Sequence, residues 1–270
     1  MQIREFKKII WDHYQKHGRR HLPWRKTHDS YKILVSEIML QQTQVDRVIP
    51  KYIAFIEKFP TWKSLAGAPA PKVLKAWQGL GYNRRALYLK RTAERVSGEF
   101  GGVLPKDVFV LTDLPGIGPN TAAAILAYAF NVPVVFIETN IRRIFIHFFF
   151  GKTRQKIDDK EILKLVGQTM DAKNPREWYS ALMDYGTFLK SQVKNPNRKS
   201  RHYAKQSKFE GSDRQTRGQI LRLLLKKKSL SKKEMIKEIK KDPKRIEKIL
   251  EKLKREKFID YTEDTRIFLR

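Results

Sequence analysis

The sequence predicts an all-α protein that ends in a small α+β unit, and three observations carry that expectation. From residue 1 to about 190, apolar residues recur at helical spacing, as in Ile33, Leu34, Ile38 and Val45, or Leu74, Trp77, Ala86 and Leu89. Turn signals interrupt them at short intervals: Leu22-Pro23, Phe59-Pro60, Pro69-Ala70-Pro71, Gly79-Leu80-Gly81, Gly101-Gly102 and Asn131-Val132-Pro133. Beyond about residue 212 the pattern changes to short capped helices and a final alternating stretch. There is no internal repeat.

Taken in order, the segment MQIREFKKIIWDHYQKH reads as an amphipathic, charged helix and not as a signal peptide. Short helices follow, among them one carrying Ala123, Ile125, Leu126 and Ala129. The longest apolar run, Ile144 to Phe150, is broken by His147 and is too short to span a bilayer. Residues 191–212 are polar, basic and short of aliphatics, which marks a linker.

A helix from Arg214 to Lys226 opens the last unit. Ser231-Lys232-Lys233-Glu234 is a capping-box pattern ahead of a second helix. Asp242-Pro243 supplies an N-cap and a first-turn proline for a third, whose Ile246, Ile249, Leu250 and Leu253 share a face. Phe258 to Tyr261 and Ile267 to Leu269 read as a hairpin. Three helices and a hairpin resemble a winged helix. The expected organisation is therefore 1–190, a linker at 191–212, and a winged-helix-like domain at 213–270.

Charge narrows the function classes. Lysine and arginine number 57 against 28 acidic residues, a formal net charge of +29. A field of that size favours a polyanion, and nucleic acid is the first candidate. Residues 201–270 alone hold 23 basic and 11 acidic side chains, a net +12 that suits an auxiliary DNA-binding module or, alternatively, a docking domain with solvated helix faces. The chain has no cysteine, which excludes disulfides, thiolate metal sites and cysteine nucleophiles. These features predict a soluble intracellular protein, in the cytoplasm and nucleoid or in a nucleus, monomeric, acting on double-stranded DNA and not on a membrane.

The most informative stretch is Leu114-Pro115-Gly116-Ile117-Gly118-Pro119-Asn120-Thr121-Ala122. Two glycines one residue apart, fenced by prolines and followed by an alanine-rich apolar run, describe a tight turn opening a helix. Gly116 and Gly118 are free to take positive φ, and the first-turn N–H groups can approach a phosphate. The run resembles the hairpin of the helix-hairpin-helix motif, which places Leu114, Gly116, Gly118 and Thr121 against a DNA backbone.

Residues 22–47, LPWRKTHDSYKILVSEIMLQQTQVDR, resemble the active-site region of MutY-type adenine glycosylases, in the helix-hairpin-helix glycosylase superfamily. The likeness runs on through Phe59-Pro60-Thr61, Trp77-Gln78-Gly79-Leu80-Gly81-Tyr82 with Arg85-Ala86, Gly101-Gly102 and the hairpin, and fades after about Gly186. It implies two helical lobes, with the N-terminal helix returning to pack on the segment after residue 140.

By that resemblance Glu37 protonates the base, and its apolar neighbours favour a raised pKa. Gln41 and Gln42 enter the duplex, Tyr82 is a second wedge, and Trp24 lines the base pocket. Asn120 stands where strand-cleaving relatives have a lysine, which implies a monofunctional enzyme. Glu138 matches the family's catalytic aspartate with one methylene more, and Asn140 would hold a water or cap the next helix.

The family's iron–sulfur cysteines correspond to Lys190, Asn197, Ser200 and Gln206, so no cofactor is expected, while Arg198, Lys199 and Arg201 keep that loop basic enough to touch phosphates. The usual 8-oxoguanine-reading domain is not evident. Adenine in a mispair is the expected target, with thymine, uracil or hypoxanthine as alternatives and a catalytically attenuated lesion-binding protein as a rival.

Overall fold

The computed structural model describes residues 1–270, which form fourteen α-helices and three short strands. In chain order, α1 (Ile3–His17) and α2 (Ser30–Leu40) flank a 3-10 turn at Pro23–Arg25. Asp29 starts α2 by accepting hydrogen bonds from the Tyr31 and Lys32 N–H groups. Then come α3 (Val45–Lys58), α4 (Trp62–Ala66), α5 (Ala70–Ala76) and α6 (Arg84–Glu99). Next are α7 (Val108–Asp113), α8 (Pro119–Phe130), α9 (Thr139–Phe149), α10 (Asp159–Thr169) and α11 (Pro175–Gln192). The last stretch is α12 (Asp213–Lys227), β1 (Ser229–Leu230), α13 (Lys232–Ile239), α14 (Pro243–Arg255), β2 (Ile259–Tyr261) and β3 (Ile267–Leu269). No helix is long and apolar enough to cross a membrane.

Two compact units interleave along the chain: one takes residues 1–41 and 103–205, the other 42–102 and 206–270. In the first, α1 lies on α11 and α9, as the sequence leads one to expect. Its buried Phe6 meets Phe145 at 5.1 Å and Trp178 at 6.2 Å between ring centroids. Phe136 and Tyr179 meet in the same core, tilted by 30° with ring centroids 4.1 Å apart. Glycine at position 186 is a packing requirement: a Cβ there would lie 2.7 Å from Asn140, in the first turn of α9.

The second unit buries apolar residues from both of its chain segments. Phe55 contacts Phe59 at 4.9 Å and Trp77 at 5.9 Å. In the C-terminal segment, Ile220, Leu224, Met235, Ile246, Ile249, Leu253, Phe258 and Ile267 are buried. The Ser231–Glu234 capping box forms, and Asp242 caps α14 with Pro243 in its first turn. The three strands are antiparallel in the order β1-β3-β2, with Ile267 opposite both Leu230 and Tyr261. Strand β1, two residues long, adds to the expected hairpin the third strand of a winged-helix sheet.

Candidate active site

The helix-hairpin-helix lies in the first unit, with α7 and α8 joined by Leu114–Gly118. Leu114 and Ile117 are buried and anchor the turn, while Gly116, Gly118 and Asn120 face solvent. Only Gly116 uses the left-handed region, at φ +80°. Gly118 is instead an extended N-cap, φ −88°, ψ 174°. It offers no side-chain cap, so the first-turn N–H groups of α8 point outward uncapped.

Glu37 sits on α2 among buried Ile33, Leu34, Ile38 and Met39. Glu138 is the N-cap residue of α9 and makes no capping bond, so its carboxylate is left for other work. The two carboxyls belong to one buried electrostatic cluster with Tyr128 of α8. Burial pushes Glu37 well above the ordinary carboxylate range; the negative charge of Glu138 adds to the rise, and Arg25 offsets part of it. Burial raises Glu138 as well. The charge of one carboxyl therefore disfavours ionisation of the other in this buried setting.

Arg25, whose charge lowers Glu37, is itself held by Asp184. Its Nη1 and Nη2 donate to the two Asp184 oxygens at 2.6 and 2.8 Å, and Nη2 also reaches the Ser180 carbonyl at 3.2 Å. Asp184 further accepts from the Arg19 backbone N–H at 2.8 Å and from Arg19 Nε at 2.6 Å. Arg176 fixes the 3-10 turn from the other side, donating to the carbonyls of Arg25 at 3.1 Å and Thr27 at 2.6 Å. Nothing local in the sequence marks Arg25 or Tyr128, and the one signal for Asp184 is a lone aspartate in the otherwise apolar stretch Ala181–Tyr185.

Four further residues that the sequence points to lie in the same unit. Trp24 is buried in the 3-10 turn. The Asn120 side-chain Oδ1 accepts from the backbone N–H of Ile137, one residue before Glu138, at 3.5 Å. Gln41 donates to Thr121 Oγ1 at 3.2 Å, which ties the end of α2 to the start of α8. Asn140 does not cap α9. It sits inside the first turn, where its side-chain oxygen accepts from Arg143, which also donates to the Gly186 carbonyl at 2.6 Å.

Lysine, asparagine, serine and glutamine at 190, 197, 200 and 206 offer no thiolate, and this donor set does not fit an iron–sulfur cluster. The loop is held by other means. Asn197, buried, donates to the Thr139 carbonyl at 3.1 Å. Lys199 donates to the carbonyls of Phe150, Gly151 and Thr153, so all three of its protons serve the far end of α9. A parallel bridge joins Ser200 to Ile157. Arg198 is exposed.

Gln42 and Tyr82 belong to the second unit. Both are exposed, and both hold left-handed backbone, at φ +54° and +45°. Arg85, buried, fastens the two loops together: its Nη2 donates to Thr43 Oγ1 at 3.0 Å and to the Leu80 and Gly81 carbonyls at 3.3 Å each. Its guanidinium lies 5.5 Å from the Tyr82 ring centre and 5.4 Å from that of Trp77, and burial lowers its pKa to about 10.

The unit that holds the helix-hairpin-helix also holds two buried carboxyls pushed above the ordinary range, a setting that suits a protein handling bases in DNA. The chain belongs to the HhH-GPD superfamily of base excision DNA repair proteins, whose family model matches residues 35–168. It is 38% identical over 188 residues to the adenine DNA glycosylase of Buchnera aphidicola subsp. Baizongia pistaciae, covering 68% of this chain and 52% of that protein. It is 34% identical over 238 residues to the adenine DNA glycosylase of Mycolicibacterium smegmatis, covering 77% of this chain and 76% of that one. Among solved structures, a thermostable thymine-DNA glycosylase aligns with a TM-score of 0.62 at 28% identity, over 68% of this chain and 85% of that chain. An endonuclease III bound non-covalently to DNA shares the fold, with a TM-score of 0.60 at 16% identity over 72% and 90% of the two chains.

Proposed function

We propose that the chain is a monofunctional DNA glycosylase that hydrolyses the N-glycosidic bond of an adenine extruded from mispaired duplex DNA. The Glu37–Glu138 pair carries the reading. Such a pair holds one proton between its members, and the stronger rise at Glu37 puts the proton there. Glu37 delivers it to a ring nitrogen of the departing base, and the electron pair of the breaking bond leaves with the base. Glu138, ionised, stabilises the cationic sugar and takes a proton from the water that adds to it. Asn120 has no amine, so no Schiff base forms and an intact abasic strand is left.

The other residues bind and hold. The uncapped first turn of α8, with Leu114, Gly116, Gly118 and Thr121, receives a phosphate, and Arg198 adds a cation. Lys199 props the loop from beneath. Gln42 and Tyr82 fill the space vacated by the base. Left-handed backbone at such residues costs about 1–3 kcal/mol each, and strain of this kind clusters at functional sites. Trp24 lines the base pocket, and Gln41 positions the start of α8. The protein works as a monomer on double-stranded DNA, without a bound cofactor, in the compartment that holds that DNA.

The names of the sequence relatives favour adenine; the thymine-DNA glycosylase neighbour supports thymine or uracil opposite guanine as a second reading. Duplexes carrying adenine opposite guanine or 8-oxoguanine, thymine or uracil opposite guanine, and hypoxanthine, each treated with alkali after incubation, separate the possibilities. Adenine release is expected, and Glu37→Gln should abolish it while duplex affinity stays within a few-fold. Release of thymine or uracil alone would replace adenine as the target. Release of no base by the parent protein would leave a lesion-binding protein.

A further inference from the structure

The C-terminal helices dock on the very loop that carries Tyr82. The Tyr82 hydroxyl accepts from Arg214 of α12 at 3.0 Å and is bonded by Gln206 as well. Glu256, directly after α14, is shared between Arg84, at the start of α6, and Arg217 of α12. The C-terminal end of α14 is thus pinned within two residues of Tyr82 in the chain.

From that pinned end α14 presents one basic stripe. Its inner face is Ile246, Ile249, Leu250 and Leu253, all buried. The opposite face carries Lys244, Lys248, Lys252 and Arg255, all exposed. Their spacing of four, four and three residues aligns them along roughly 17 Å of helix. Three nearby carboxylates are engaged elsewhere: Glu247 pairs with Lys232, Asp213 with Arg245, and Glu234 with Arg266. Glu251 is exposed on the same side of α14, four residues before Arg255, and offsets part of the stripe's charge. Like charges in a row repel one another; the phosphates of a polyanion neutralise them, and the counterions those phosphates release favour binding.

We infer that α14 is a second DNA-binding surface, lying along the phosphate backbone of the same duplex that Tyr82 enters. The inference rests on the reading of Tyr82 as an inserting residue. It makes the C-terminal segment an extension of the wedge loop, so that one rigid piece carries both the insertion and the backbone contact.

The test uses the full chain with Lys244, Lys248, Lys252 and Arg255 all changed to glutamine. A control with the same loss of charge changes Lys233, Lys237, Lys240 and Lys241 to glutamine. Duplex affinity is measured across a potassium chloride series, and single-turnover excision is measured at saturating protein. Four lost phosphate contacts should flatten the slope of log affinity against log salt by about 3.6, while the control moves it by less than about 0.9. Excision at saturation should be unchanged.

An unaltered slope in the α14 variant, or equal flattening in the control, would overturn the proposal. So would duplex binding that survives while binding to anionic vesicles or an acidic peptide is lost. A parent that binds duplex steeply but releases no base would sink the glycosylase reading and leave this surface standing. A parent that excises normally, with α14 irrelevant to the slope, would sink the surface alone.

Discussion

Replacing Asp184 with asparagine probes the anchor that holds Arg25. Asp184 is 3% exposed, and its two oxygens accept four hydrogen bonds of 2.6–2.8 Å from Arg19 and Arg25. An amide of the same size keeps one acceptor and turns a donor toward a guanidinium. Breaking a buried ion pair from one side costs about 3–5 kcal/mol, because the partner's charge is left uncompensated. Arg19 retains 23% side-chain exposure and rehydrates in part, whereas Arg25, at 12%, does not. The lower half of the range, about 3–4 kcal/mol, is therefore expected, a fall of roughly 6–16 °C in melting temperature for a unit of this size.

The loss has a pH signature. Burial raises the Asp184 carboxyl, but the bonds and charges of Arg25 and Arg19 outweigh it and hold the group below its ordinary 3.8. A depressed folded-state pKa contributes stability above 3.8 that disappears as pH falls through the lower folded value. Urea denaturation followed by circular dichroism should show the full gap between parent and Asp184→Asn at neutral pH and a closing gap in acid. A loss under about 1 kcal/mol at neutral pH, or a gap that persists undiminished in acid, would refute the reasoning.

Three further outcomes follow from the geometry. Glu37 is raised in the folded state, so it favours folding below 4.5 and that contribution is lost as pH rises; Glu37→Gln should therefore be more stable than the parent in alkaline urea melts and equal to it below 4.5. Arg85→Lys keeps the charge but loses the fork that ties Thr43 to Leu80 and Gly81; with about 1–3 kcal/mol of loop order gone, 2-aminopurine fluorescence should report weakened base extrusion. Borohydride should trap little adduct with the parent protein and more with Asn120→Lys, as read on denaturing gels.

Local chemistry was legible in the sequence, and long-range pairing was not. The Ser231 and Asp242 caps, the hairpin turn and the amphipathic face of α14 each depend on residues within a few positions of one another, and each formed as read. Strand β1 escaped notice because two residues carry no period, and only pairing with β3 makes them a strand. Gly118 looked like a second left-handed glycine, yet the proline that follows it suits an extended N-cap. Glu37 stood out through its apolar neighbours, whereas Arg25 and Asp184 acquire meaning from each other across 159 residues. The basic charge of Lys199 is plain in the sequence, whereas its three carbonyl partners near the end of α9 come from residues more than 40 positions away.

The interleaving of the two units also bears on how the protein is made. Arg19 leaves the ribosome 165 residues before its partner Asp184. At about 5–20 residues per second, that is a wait of roughly 8–33 s with the apolar face of α1, Phe6, Ile10 and Tyr14, uncovered. The segment 42–102 in turn emerges before residues 206–270, with which it forms the second unit. Neither unit can be completed in order of synthesis, because each draws residues from two separate stretches of the chain.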